Sequence, residues 1–312
     1  TRANFEHREA VCIDIPTEKS LDLLKPNLFK GDINTKKLRK LISRYGKRAK
    51  FVLMTLTNNT GGGQPASLKN VELASKLTRK AGLKFAVDAC RIAENSYFIW
   101  LNEQKKKGSI RVIIRKLFSL SDIAFMSTKK DGLANSGGFM VTNDRSLAAK
   151  LRELTVLYEG YVTYGGMTGR ELEAIAQGLR EVVSPTYLEH RINQIAYLHN
   201  ELRQLGVPLI HPSGGHAVYV DAGRLFRHNP KNDFPGQALV AALYQEGGVR
   251  SVEIGSLMYS KTTKPELVRL AIPRRAYTQS HLDYVVETFK KVLLNKKRYK
   301  GFQIIWQPST LR

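Results

Sequence analysis

Phe51-Val52-Leu53-Met54-Thr55-Leu56 and, after an intervening loop and helix, Lys84-Phe85-Ala86-Val87-Asp88 are the runs whose reading decides the fold. The first is apolar almost throughout and of strand length, which suits a strand buried on both faces. A loop, Asn58-Asn59-Thr60-Gly61-Gly62-Gly63-Gln64-Pro65, follows it. Ser67 can then cap a helix with Val71, Ala74, Leu77 and Thr78 inward and Gly82 as its stop. Strand, loop, helix and strand in this order predict a right-handed βαβ unit on a parallel sheet. Further along, residues 111–120 read as a helix, 122–126 as a third strand and 137–141 as one more. The second half changes character. Residues 188–205 read as a long amphipathic helix, 216–221 as an alternating strand, 237–244 as a helix and 268–272 as a strand. Ser280 is expected to cap a last helix carrying Leu282, Val285, Val286, Phe289, Val292 and Leu293 on one face. Residues 302–306 look strand-like. A boundary near residue 180 divides a parallel α/β domain, 1–180, from a smaller α+β domain, 181–312.

The composition is globular: 312 residues, 42% apolar and 25% charged, which excludes a disordered or collagen-like chain. No apolar run approaches the roughly 20 residues that span a bilayer, so a soluble protein without membrane partners is expected. Two cysteines, Cys12 and Cys90, cannot make a disulfide framework. They fit a reducing compartment, cytoplasm or mitochondrial matrix. The charge is the oddity, since 50 Lys+Arg stand against 27 Asp+Glu, a net +23. Three clusters carry much of it: Lys36, Lys37, Arg39, Lys40, Arg44, Lys47, Arg48 and Lys50; Lys105, Lys106, Lys107, Arg111, Arg115 and Lys116; and Lys290, Lys291, Lys296, Lys297, Arg298 and Lys300. They point to a polyanionic partner such as RNA. Without interleaved aromatics, contact with a phosphate backbone is the better expectation than base readout.

In an open parallel sheet, ligands bind beyond the carboxyl ends of the strands. Asn59 falls just after the first strand, Asp88 ends the second with Arg91 one turn on, and Lys129-Lys130 follow the third. A carboxylate, a guanidinium and an amine at one sheet edge match the needs of pyridoxal phosphate. The amine condenses with the aldehyde, and the carboxylate keeps the pyridine nitrogen protonated, making the ring an electron sink.

Those residues, in that order, resemble a known family. Asn59-Thr60-Gly61-Gly62-Gly63-Gln64-Pro65, Asp88-Ala89-Cys90-Arg91 with Glu94-Asn95-Ser96-Tyr97-Phe98-Ile99, and Ser127-Thr128-Lys129-Lys130-Asp131 look like the β-eliminating lyases, tryptophanase and tyrosine phenol-lyase. The likeness runs on through Tyr158-Glu159-Gly160, Thr163-Tyr164-Gly165-Gly166, Gly214-Gly215-His216-Ala217, Ile272-Pro273-Arg274-Arg275, Tyr277-Thr278 and Leu311-Arg312. It implies a fold-type I (aminotransferase-like) pyridoxal-phosphate enzyme. In it, 1–180 belong to the cofactor-binding large domain and 181–312 to the small C-terminal domain. The implied reaction removes the side chain of an aromatic amino acid and leaves pyruvate and ammonia.

By the same resemblance, Lys130 is the cofactor lysine and the base for the α-proton, and Lys129 is its neighbour by the cofactor. Asp88 pairs with the pyridine nitrogen. Arg91 and Asn59 sit by the phenolic oxygen, Arg274 clamps the substrate carboxylate, and Tyr164 is an active-site tyrosine. Asn135 matches a potassium-site position of the phenol-lyase, whose other ligands come from elsewhere. Ile254 stands where the phenol-lyase has the arginine that recognises phenol, which is tryptophanase-like; Arg275 is phenol-lyase-like. A homo-oligomer is expected from the family.

Relative to the family, the chain reads as truncated at both ends, from Thr1 to Ser309-Thr310-Leu311-Arg312. The expectation is a site with the electronic half of the cofactor's contacts but without its phosphate loop, the stacking aromatic or the cross-dimer tyrosine, and hence weak binding of the cofactor by this chain alone. Two functional readings follow. One is a tryptophanase-like lyase present as a fragment or partial chain. The other is a lyase-derived, non-catalytic basic scaffold of an RNA assembly such as a mitochondrial ribosome.

Overall fold

The computed structural model describes residues 5–259 and 265–307. Two compact units are present: Pro16–Leu21 with Leu28–Asn193, and Thr1–Ile15 and Asp22–Asn27 with Gln194–Arg312.

The unit built on Leu28–Asn193 contains the βαβ pattern. Strands β1 (Phe51–Thr55), β2 (Lys84–Asp88) and β3 (Ile123–Ser127) are parallel, and β4 (Gly138–Thr142) closes the sheet antiparallel to β3, in the order β1-β2-β3-β4. The antiparallel turn of β4 has a simple cause. Residues 128–137 are too short a connection for the crossover that a parallel neighbour requires. Thr55 pairs with Asp88, and Asp88 with Phe125, so the carboxyl ends of the three parallel strands lie in one row. Asp122 sets the β2–β3 register. Its carboxylate accepts from Phe85 N at 2.7 Å, and its own N–H donates to Phe85 O at 2.8 Å.

Helices follow from local chemistry. α1 (Thr35–Tyr45) is capped by the side chain of Asn34, which accepts from Lys37 N at 2.9 Å. α2 (Leu68–Lys80) is capped by Ser67 as expected, and buries Val71, Ala74, Ser75 and Thr78. The Asn70 side chain grips both Ile33 N (2.9 Å) and Ile33 O (3.0 Å), tying α2 to the segment before α1. α3 (Ile92–Asn102) is buried on nearly every face, so it shows none of the helical periodicity that reveals α2. α4 (Ile110–Ser119), capped by Ser109, corresponds to the helix expected at 111–120. α5 (Arg145–Tyr158) and α6 (Gly169–Glu181) follow β4, the latter with a capping box between Thr168 and Glu171. α7 (Pro185–Gln204) is the long helix read at 188–205.

The other unit carries a three-stranded antiparallel sheet, β5 (Ala217–Asp221), β6 (Val252–Ile254) and β7 (Leu267–Ala271), in the order β5-β7-β6. Helices α8 (Pro235–Gly247) and α9 (Gln279–Leu294) pack with it around Leu239, Leu243, Val268, Leu270, Leu282 and Phe289. A fully buried phenylalanine such as Phe289 contributes about 2–3 kcal/mol of transfer free energy. Two expectations are corrected here. The cap of α9 is Thr278, in a capping box with His281, and Ser280 lies inside the first turn. Residues 302–306 form no strand: Phe302 N bonds to Asp233 O, while Ile305 is 99% exposed. Alternating apolar residues become a strand only where a sheet edge accepts them. Residues 309–312 lie outside the described residues. Among those described, no helix is long and apolar enough to cross a membrane.

Candidate active site

The edge formed by the carboxyl ends of β1, β2 and β3 gathers three of the residues singled out by sequence, Asp88, Arg91 and Lys130. Asp88 closes β2, and its carboxylate accepts from Cys90 N at 3.0 Å. Leu56 N donates to Asp88 O and Arg91 N to Leu56 O, each at 3.0 Å, so the exit of β1 is laced to the turn after β2. Lys130 leaves β3 three residues after Ser127, and its Nζ donates to Ser127 Oγ at 2.8 Å. Asp131 fixes this lysine loop. It is fully buried, and its carboxylate accepts from Ala93 N (2.7 Å) and Glu94 N (3.4 Å) at the start of α3. It thereby supplies the cap that Arg91, at the N-cap position, does not give. Asp131 N in turn donates to Cys90 O at 3.2 Å. The loop also lies hard against α6, since a Cβ on Gly178 would meet Gly132 O at 1.9 Å.

Burial, followed by the charges of Arg91 and Lys129, holds the Lys130 amine below the ordinary lysine range, against the opposing pull of Cys90 and Asp88. The Cys90 thiol moves the other way. Burial and its hydrogen bond to Asp88 push it up to about 11, although Ser127 N donates to the sulfur at 3.2 Å. Near neutrality Cys90 is therefore a thiol, and a larger share of Lys130 is uncharged than for an exposed lysine. Arg91 is 9% exposed and its Nε has no hydrogen-bond partner; the fully buried Thr57 Oγ1, one residue past Leu56, has none either. A buried guanidinium N–H without an acceptor calls for an oxygen-bearing ligand. An amine of lowered basicity, a carboxylate and that guanidinium fit the aldehyde, ring nitrogen and phenolic oxygen of pyridoxal phosphate.

The remaining expected residues are more scattered. Asn59 is half-buried in a loop closed by Asn58 N to Gln64 O (2.9 Å) and Gly63 N to Asn58 O (2.8 Å). Asn95 anchors that loop through both Ala66 N (2.8 Å) and Ala66 O (2.9 Å). The Lys129 side chain is exposed, unlike that of Lys130. Tyr164 is exposed in the turn after α5, where its ring neighbour is Tyr161. Asn135 is exposed and lines a cavity of about 320 Å³ with Ser136, Arg170 and Glu171, a cation and a carboxylate side by side at the position matched to potassium. Among the described residues no cluster of three His, Cys, Asp or Glu side chains could hold a metal. Arg274 follows β7 in the other unit and is half-buried. Roles for Cys90, Ser127 and Asp131 were missed. The available signal for Asp131 was a carboxylate beside a lysine pair in a loop with no helix of its own to cap.

Comparison with known proteins finds relatives along the whole chain. The family model for beta-eliminating lyase matches residues 1–288. A tryptophanase of Hyphomonas neptunium is 43% identical over 100% of this chain and 70% of its own, and one of Salinibacter ruber is 45% identical over 100% and 68%. A tyrosine phenol-lyase of Clostridium tetani is 42% identical over 100% and 70%. Among solved structures, a SepCysS–SepCysE N-terminal domain complex shares the fold, with a TM-score of 0.56 at 12% identity over 93% of this chain and 70% of that one. The fold is α/β, of the fold-type I class.

Proposed function

Because the chain belongs to the beta-eliminating lyases, we propose that it is a pyridoxal-phosphate-dependent carbon–carbon lyase acting on an aromatic amino acid. With water, the substrate would give the free arene, pyruvate and ammonium. The observation that carries this reading is the cluster of Lys130, Asp88 and Arg91, held at one sheet edge by Ser127, Cys90 and Asp131. When bound, the cofactor supplies an electron sink for the bonds at the substrate's α-carbon.

The protein's own residues do the rest. Lys130, with its lowered basicity, is the amine that holds the cofactor aldehyde and, once displaced, the base that takes the α-proton. Asp88 keeps the ring nitrogen protonated, while the neutral Cys90 thiol beside it adds no competing charge. Arg91 and Asn59 address the phenolic oxygen. Arg274 takes the substrate carboxylate, a suitable bidentate task for a guanidinium, and Tyr164 is assigned as an active-site tyrosine on the family resemblance. The leaving group is read as indole: Ile254 is 3% exposed in an apolar cluster with Tyr219 and Leu267, where an arginine would recognise phenol. Arg275 argues the other way.

The test adds pyridoxal phosphate to the purified protein, reduces with borohydride and maps the labelled peptide, then compares pyruvate release from tryptophan and tyrosine. Label on Lys130, and faster release from tryptophan, are expected. Label on Lys129 overturns the assignment of the lysine, and no label at saturating cofactor with the fold intact overturns the cofactor site. Faster release from tyrosine overturns the leaving group alone.

A further inference from the structure

The basic surface takes no part in that chemistry, yet its arrangement is ordered. Helices α1, α2 and α4 form one layer of the Leu28–Asn193 unit. The Asn70 side chain holds α2 to Ile33, just ahead of α1. On its other side α2 meets α4 and its exit through Lys116–Glu72 (3.2 Å) and Ser75 Oγ to Leu120 O (2.6 Å). Parts of two clusters far apart in sequence are thus carried by one layer: Lys36, Lys37, Arg39, Lys40 and Arg44 on α1, and Arg111, Arg115 and Lys116 on α4. α2 adds Lys69, Lys76 and Lys80, all exposed. No acid occurs in residues 33–71 or 104–121.

A surface kept only for solubility would not be built this way. Lys36, Lys40 and Arg44 follow one another on α1 at the i, i+4 spacing, where like charges destabilise a helix. Lys36 and Lys37 occupy the first turn of α1, with no acid there, against the helix dipole. Local stability is sacrificed for a strongly positive field, offset on these three helices by Glu72 alone, which is the mark of a surface with a polyanionic partner. Arg44 and Arg48 are also pre-ordered, with guanidinium carbons 5.6 and 5.5 Å from the centroid of the Tyr45 ring.

We propose that the solvent face of α1, α2 and α4 binds a nucleic-acid phosphate backbone without reading its sequence. A lipid surface fits less well, because the apolar side of α1 is turned inward, with Leu38 3% exposed, and leaves no anchor for a bilayer. Tyr45, the ring that stands between Arg44 and Arg48, is taken up by their guanidinium groups, so the row of cations suits phosphates rather than stacked bases.

The test measures fluorescence anisotropy of a fluorescein-labelled RNA of about 20 nucleotides against the full chain, from about 50 to 300 mM salt. The triple variant Lys36→Glu/Lys40→Glu/Arg44→Glu should weaken binding at least about tenfold and flatten the log–log salt slope by about 2, since each neutralised phosphate of a single strand contributes roughly 0.7. Reversal of Lys290, Lys291 and Lys297, in the other unit, should leave both unchanged. If the Glu variant fails to fold by circular dichroism, the matching Gln variant is expected to show the same direction at smaller size. Affinity and slope equal to the parent protein's would overturn the proposal. So would absent RNA binding alongside co-sedimentation with phosphatidylserine vesicles, or binding that salt does not weaken.

Discussion

At Asp131 one carboxylate ties the lysine loop to the start of α3, accepting from Ala93 N and Glu94 N. Asp131→Ala leaves those buried donors without an acceptor and should cost about 1–3 kcal/mol in urea unfolding. Asp131→Asn keeps an accepting oxygen and should cost less. Equal stability of the alanine variant and the parent would remove the capping role. At this scale the site was legible where a residue's position in the pattern speaks for itself: Asp88, Arg91 and Lys130 stand at strand ends, where ligand-facing groups belong. Cys90 and Ser127 were not, because the contact between them, Ser127 N to Cys90 Sγ, joins residues 37 apart. Asn58, whose side chain accepts from Gly61 N at 3.0 Å to shape the glycine loop, was likewise read only as part of that loop.

Among the elements, α6 earns its place by proximity to the lysine loop. Gly178→Ala would drive a methyl group into Gly132 O, backbone that cannot rotate away. A loss of about 1–3 kcal/mol is expected by denaturant unfolding, with less borohydride label on Lys130. Gly169→Ala, at the start of the same helix with nothing within 4 Å of its Cβ, should be neutral or mildly stabilising. If both variants behave alike, the close approach at Gly178 does not position the loop. Elements with one buried face, such as α2 and α4, were readable from period and cap. α3 was not, because a helix buried all round has no polar stripe to mark its period. Residues 302–306 carried a strand's composition but found no edge to pair with, a fact that no local pattern contains.

For the whole molecule, burial makes carboxyl groups in both units hard to ionise, most strongly Asp32 in one and Glu253 in the other. Burial raises Asp32 to about 6 even though Ser67 N and Ser67 Oγ donate to it. Burial, with the neighbouring Glu266, raises Glu253 to about 7. Unfolded, such groups titrate near roughly 4, so the folded protein binds more protons across the interval. The stability these groups give is fully present below about pH 4. It is lost as pH rises through 6 for Asp32 and through 7 for Glu253. Relative to Asp32→Asn and Glu253→Gln, the parent protein should lose on the order of a few kcal/mol between about pH 4 and 7.5. Urea unfolding at several pH values reads this, and parallel pH profiles for parent and variants would contradict it. The Asp122 clasp on Phe85 has a different consequence. Side chains alternate along a strand with a period of two, so a slip of one residue between β2 and β3 would send Asp88 to the opposite face. The chemistry is therefore written partly as an address: one extra codon within residues 84–88 would erase the site while sparing every residue that makes it.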